Sequence, residues 1–62
     1  MIRVTELGGI ARVFNLNEVE GRESTLRLLA RQSKDIYVEQ VSEELKLAEK
    51  AGIISLDNVD KE

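Results

Sequence analysis

The chain contains neither cysteine nor histidine, and in a polypeptide of 62 residues that absence decides what can hold a fold together. A chain this short forms one domain and buries only about 60% of the surface its unfolded form exposes. Small domains offset that deficit with disulfides, a structural metal or oligomerisation. Without cysteine there is no disulfide, and a zinc site would rest on carboxylates alone, which zinc sites seldom use. Oligomerisation or a partner protein is the remaining aid. The same absence removes the common triads of nucleophilic catalysis, which rely on a His base. The carboxylate pairs Glu18–Glu20 and Glu39–Glu43 read as solvated faces, because catalytic acids need a shaped cleft. The expectation is a protein that is not an enzyme and uses no cofactor, no metal and no small-molecule substrate.

Charge is divided end to end. Residues 1–34 carry Arg3, Arg12, Arg22, Arg27, Arg31 and Lys34 against Glu6, Glu18, Glu20 and Glu23, for +2. Residues 35–62 carry Lys46, Lys50 and Lys61 against Asp35, Glu39, Glu43, Glu44, Glu49, Asp57, Asp60 and Glu62, for −5. Each sign draws its opposite within a Debye length, about 8 Å in physiological salt, so the two ends suit different partners. With 42% apolar and 34% charged residues, the composition is that of a folded domain. Apolar runs reach only two or three residues, far short of the ~20 that span a bilayer, and the N-terminus lacks a secretory core. No membrane contact is expected, and the cytoplasm is the default location.

The clearest local signal is Gly8-Gly9, a pair able to take φ > 0 twice between two runs rich in branched residues, Ile2–Leu7 and Ile10–Leu16. The pattern predicts a β-hairpin over residues 1–16, with Thr5 facing Arg12 and Val4 facing Val13. Ile2, Val4, Ala11 and Val13 then share one face, while Leu7, Ile10 and Phe14 share the other with Arg3, Thr5 and Arg12. Both faces hold apolar side chains, so the ribbon needs cover on both. Gly8-Gly9 lacks the further glycines, Lys and Ser/Thr of a phosphate-binding loop. Asp57 to Asp60 lacks the glycine and terminal Glu of a calcium loop.

Residues 17–52 read as two helices. The first starts at Asn17, with Glu20 three residues on, or at Ser24 beyond Gly21. At 100° per residue, Leu26, Leu29 and Ala30 share a face, and Arg27, Arg31 and Lys34 form a stripe beside it. The second begins at Ser33 or Asp35 and runs to Ala51, with Tyr37, Val38, Val41, Leu45 and Ala48 on one face. Ile36-Tyr37-Val38 also fits a strand. Gly52 sits where a helix stop needs a left-handed residue, with Ile53 folding back on Ala48. Residues 53–62 read as an extended acidic tail. The fold class expected is α+β: one domain, a β-hairpin followed by two α-helices, completed by oligomerisation.

Two surfaces are candidates for binding. Arg27, Arg31 and Lys34 on one helix side, with Arg3 and Arg12 beside Phe14 on the ribbon, form a surface able to meet DNA phosphates, and a dimer would duplicate it. The alternative is an ordinary solvated face, since the whole chain is acidic with a pI near 4.9. Leu28, Ile36 and Leu47 project away from the apolar stripes of their helices, as residues of a subunit or partner interface do. Ile53, Ile54 and Leu56 extend that apolar surface onto the tail.

Leu28 to Leu45, LLARQSKDIYVEQVSEEL, runs from a polar turn into a helix with a Tyr-Val start and is similar to the second half of the ribbon–helix–helix motif. Ala51 to Glu62, AGIISLDNVDKE, resembles the acidic arm of antitoxins from toxin–antitoxin pairs. The resemblance implies that strand Ile10–Leu16 pairs with its twin across a two-fold axis and places Arg12 toward the DNA major groove, while the arm grips a basic protein. The function expected is a homo-oligomeric regulator, binding DNA through its basic half and a protein partner through its acidic half. The alternative is a structural assembly or adaptor protein, such as a small virion or complex subunit, with no nucleic-acid binding.

Overall fold

The computed structural model describes residues 1–59, and its core is built from strands that find partners far along the chain. β1 (Ile2–Glu6) is the middle strand of a three-stranded antiparallel sheet, between β4 (Ser33–Ile36) and β5 (Ile54–Asn58). β2 (Arg12–Asn15) pairs with β3 (Thr25–Leu28) in a second, two-stranded antiparallel sheet. A single 3-10 turn (Val38–Gln40) and a single helix, α1 (Glu43–Lys50), lie between β4 and β5 among the described residues.

Alternation decides which side chains β1 buries. Val4 and Glu6 point into the core, and Arg3 and Thr5 point out. The register sets Arg3 between Asp35 and Asp57, and Thr5 between Ser33 and Ser55, so the outer face is made of two polar rows. Thr5 and Ser33 share a hydroxyl hydrogen bond of 2.9 Å, and the Arg3 Nε donates to Asp35 Oδ1 at 3.0 Å. That bond, with the charges of Asp35 and Asp57, holds the Arg3 guanidinium further above its ordinary value. On the other side, Val4, Phe14, Leu16, Leu26, Leu28, Ile36, Leu45, Ala48 and Ile54 form one core, with Ile2, Val41, Ile53 and Leu56 packed against it.

The expected hairpin is corrected. β1 and β2 are strands, but they lie in different sheets, and Gly8-Gly9 carries the chain from one to the other. Only Gly9 takes a positive φ (+79°), whereas a type I′ turn needs two. The two glycines present their amides to the Glu6 carboxylate instead. Of the ribbon's apolar residues, Val4 and Phe14 reach the core from their separate sheets, whereas Leu7, Ile10 and Val13 stay exposed.

The two helices expected over residues 17–52 are corrected as well, because β3 and β4 occupy much of that span. Leu26 and Leu28 alternate around Arg27 with period two and are both buried, whereas the helical face would have paired Leu26 with Leu29 and Ala30, which are exposed. Ser33–Ile36 is a strand; of the alternative strand at Ile36-Tyr37-Val38 only Ile36 lies in it, and Val38 opens the 3-10 turn. α1 is eight residues long and buries Leu45 and Ala48. Its start docks on β2: Ser42 Oγ donates to the Asn15 carbonyl at 2.6 Å, and Glu44 accepts the Asn15 amide at 2.8 Å. Its end follows the expected design. Gly52 is left-handed (φ +82°), the Gly52 amide bonds Glu49 O at 3.0 Å and the Ile53 amide bonds Ala48 O at 3.1 Å, which is the Schellman pairing. The tail expected at 53–62 is in its first part a paired strand; Asp60, Lys61 and Glu62 lie outside the described residues.

Candidate binding groove

Glu6 fixes the geometry from which the groove opens. Its side chain is fully enclosed, and four N–H groups converge on its two oxygens. Gly9 and Arg31 amides reach Oε1 at 2.7 and 3.0 Å; the Gly8 amide and the Arg12 Nε reach Oε2 at 2.7 and 3.0 Å. Burial pushes the carboxyl up, but these bonds, from Arg31, Arg12, Gly9 and Gly8, outweigh it and hold it at about 2. A carboxylate so saturated is a poor base. Its work is architectural: it ties the turn after β1 to the turn between β3 and β4. That second turn carries Arg31 at φ +60°, a left-handed position unusual for a residue with a side chain.

From that knot β3 and β4 part into different sheets, and an open groove of about 820 Å³ lies along the seam. Thr25, Leu26 and Arg27 line one wall, and Lys34, Asp35 and Ile36 line the other. Tyr37 and Gln40 belong to the lining too, with Arg22, Glu23 and Leu16. Gln40 is buried, donating through Nε2 to the Glu23 carbonyl and accepting the Tyr37 amide through Oε1, both at 2.9 Å. The Arg22 guanidinium lies 4.4 Å from the Tyr37 ring centroid, and its Nη2 donates to the Tyr37 hydroxyl. Stacking of this kind is worth about 0.5–1 kcal/mol at an exposed site and restricts the guanidinium before any ligand arrives.

The five cations expected to face DNA are dispersed. Arg27 and Lys34 line the groove and have no ion-pair partner among the described residues. Arg31 stands beside Gly9, Arg12 is turned onto Glu6, and Arg3 lies on the outer sheet face against Asp35. The helical stripe of Arg27, Arg31 and Lys34 is corrected, since no helix spans them. The apolar surface is corrected in part: Leu28, Ile36 and Ile54 are core residues, at 0%, 6% and 1% exposure; Leu28 and Ile54 offer no face to a partner, and Ile36 keeps only the small area that lines the groove. Their burial follows from the inward positions they hold in β3, β4 and β5. Ile53 and Leu56 are half-buried against the same core, and Leu47 is exposed. Sequence reasoning passed over Arg22, Tyr37 and Glu6. The one available signal was an acid two residues before a glycine pair, whose bare amides can close on a carboxylate.

Among the described residues no cluster of three or more acidic groups is placed to hold a metal ion, and no helix is long and apolar enough to cross a membrane. Comparison with known proteins finds no matching family model, no matching curated protein and no matching solved structure. The likeness to ribbon–helix–helix regulators therefore rests on the quoted residues alone, and the pair of helices it implied is not part of this fold.

Proposed function

We propose that the protein is a non-catalytic binding module that holds an extended anionic chain in the groove between β3 and β4. The presence of Arg22, Arg27 and Lys34 in the lining of one groove carries the reading. Two acids line it as well, but Asp35 is engaged by Arg3 at 3.0 Å, which leaves Glu23 against three cations. Tyr37 already holds Arg22, so less ordering is required on binding. Of the five cations expected to meet DNA, this reading uses Arg27 and Lys34, adds Arg22, and leaves out Arg31 beside Gly9 and Arg3 and Arg12, which are paired with Asp35 and Glu6.

The test is fluorescence anisotropy with labelled oligothymidylate and labelled polyglutamate. Binding should weaken between about 50 and 200 mM salt as counterions compete. Arg27→Ala and Lys34→Ala should each weaken it further, and with the nucleic acid each should flatten the salt slope by about one unit. If neither polymer binds at low salt, the reading fails.

An assembly role is the second reading, favoured by Leu7, Ile10 and Leu29, which are 49%, 54% and 53% exposed around the Glu6 knot. Light scattering after size exclusion tests it. A 7.0 kDa species at every concentration counts against it.

A further inference from the structure

The groove takes its walls from two strand edges, each with half of its backbone groups pointing outward. The Leu16 amide bonds the Ser24 carbonyl at 2.7 Å, so antiparallel alternation turns the backbone of Ser24, Leu26 and Leu28 toward β2 and that of Thr25 and Arg27 away, toward the groove. The Glu6 amide bonds the Gln32 carbonyl at 3.0 Å, so Lys34 and Ile36 turn their backbones to β1 while Ser33 and Asp35 turn theirs outward. Such an edge is a template for one more strand, and proteins commonly guard it with an inward-pointing charge. Lys34 is that guard: it shares the core-facing side of the sheet with Val4 and Leu56 yet stands exposed.

A guard of this kind also selects. A strand laid beside β4 with an apolar residue opposite Lys34 would bury an ammonium against it, whereas a carboxylate there would pair with it. Two residues further on the same face is Ile36, which lines the groove with Leu26 and Leu16, so the position opposite it favours an apolar side chain. Building on the reading of the groove as a site for an anionic chain, we propose that its occupant is an extended acidic segment of a partner protein, added as a strand along β4. The segment carries a carboxylate opposite Lys34 and an apolar residue two positions away, opposite Ile36. Backbone bonds to Ser33 and Asp35 supply affinity, and the pair with Lys34 supplies the choice of partner.

The experiment titrates the isotope-labelled full chain with a nine-residue peptide in which Glu and Val stand two positions apart among threonines. The amide signals of Ser33 and Asp35 should shift, and their hydrogen exchange should slow. Replacing the peptide's Glu by Lys should lower affinity about tenfold, and Lys34→Glu, at an exposed edge, should reverse that preference. N-methylation of the two peptide residues opposite Ser33 and Asp35, whose amides face β4, should abolish binding. Silence at Ser33 and Asp35, or equal binding of the N-methylated peptide, overturns the proposal. If oligothymidylate perturbs the groove while the peptide does not, the strand proposal falls and the broader reading stands; if neither binds, both fall.

Discussion

Two carboxylate–guanidinium pairs in this molecule have the same Nε to oxygen distance, 3.0 Å, and opposite meanings. Glu6–Arg12 is enclosed, with the carboxylate at 0% exposure and the guanidinium side chain at 24%; Arg3–Asp35 lies open at 51% and 38%. Distance alone therefore says little about what a pair does. The enclosed carboxylate has given up water and depends on every donor that replaces it, so losing any one leaves part of a buried charge unmet. The open pair keeps its water, is screened by salt and holds two side chains in a register that the backbone already fixes.

The largest expected effect is on the enclosed side. Glu6→Gln keeps the size but removes the charge, and its amide nitrogen faces N–H donors where an oxygen is needed. Its thermal midpoint, followed by circular dichroism, should fall further than that of any other substitution considered below, with loss of cooperative unfolding. A midpoint within a few degrees of the parent would show that the four donors do not depend on this carboxylate.

Acid probes the same pair without mutation. The folded-state value of Glu6 is depressed from 4.5 to about 2, so the stability it contributes is present above pH 4.5 and drains as pH falls through 2. Thermal midpoints measured from pH 7 downward should hold until about pH 4.5 and then decline. Asp35→Asn should follow the same decline, because the acid-sensitive group is elsewhere. A flat profile down to pH 2 would refute the enclosed arrangement.

Gly8→Ala is next in size. A Cβ on Gly8 would lie 2.7 Å from Arg12 Nη2 and 3.0 Å from Glu6 Oε2, so the guanidinium has to leave its place. Crowding of this order costs about 1–3 kcal/mol. Gly9→Ala meets Arg31 only at 3.6 Å but carries φ +79°, so its cost of about 1 kcal/mol comes from the backbone. Urea midpoints should rank the two in that order, and a reversal would mean that Arg12 moves aside freely.

How much of this was legible in the sequence depends on range. The Schellman end at Gly52 was readable because Ala48, Gly52 and Ile53 are neighbours in the chain and their chemistry is local. Strands at residues 2–6 and 12–15 were readable from their branched residues, but their partners were not. β1 pairs about thirty residues away with β4 and about fifty away with β5, and short-range turn chemistry at Gly8-Gly9 outweighed that in the reading. Leu26-Arg27-Leu28-Leu29-Ala30 satisfies both the helical and the extended period, and only burial by distant segments separates them. The groove shared this difficulty. Arg22, Arg27, Lys34 and Tyr37 line one groove that exists because β3 and β4 part into different sheets.

The smallest expected effect is on the open pair, and it completes the contrast. Asp35→Asn keeps the hydrogen-bonding shape beside Arg3 and removes the charge, while Asp57 still flanks Arg3 from the opposite strand. The thermal midpoint should therefore move by no more than about 4 °C at low salt, and the difference from the parent should vanish in molar salt, where the screening length is about 3 Å. Salt should leave the Glu6→Gln deficit in place, because no counterion reaches an enclosed carboxylate. If molar salt erased the Glu6 effect as well, the two pairs would be alike after all, and burial would not be what separates them. The same substitution also bears on the groove. With the Asp35 charge gone from its lining, the groove gains net positive charge, so an anionic strand should bind Asp35→Asn more tightly than the parent.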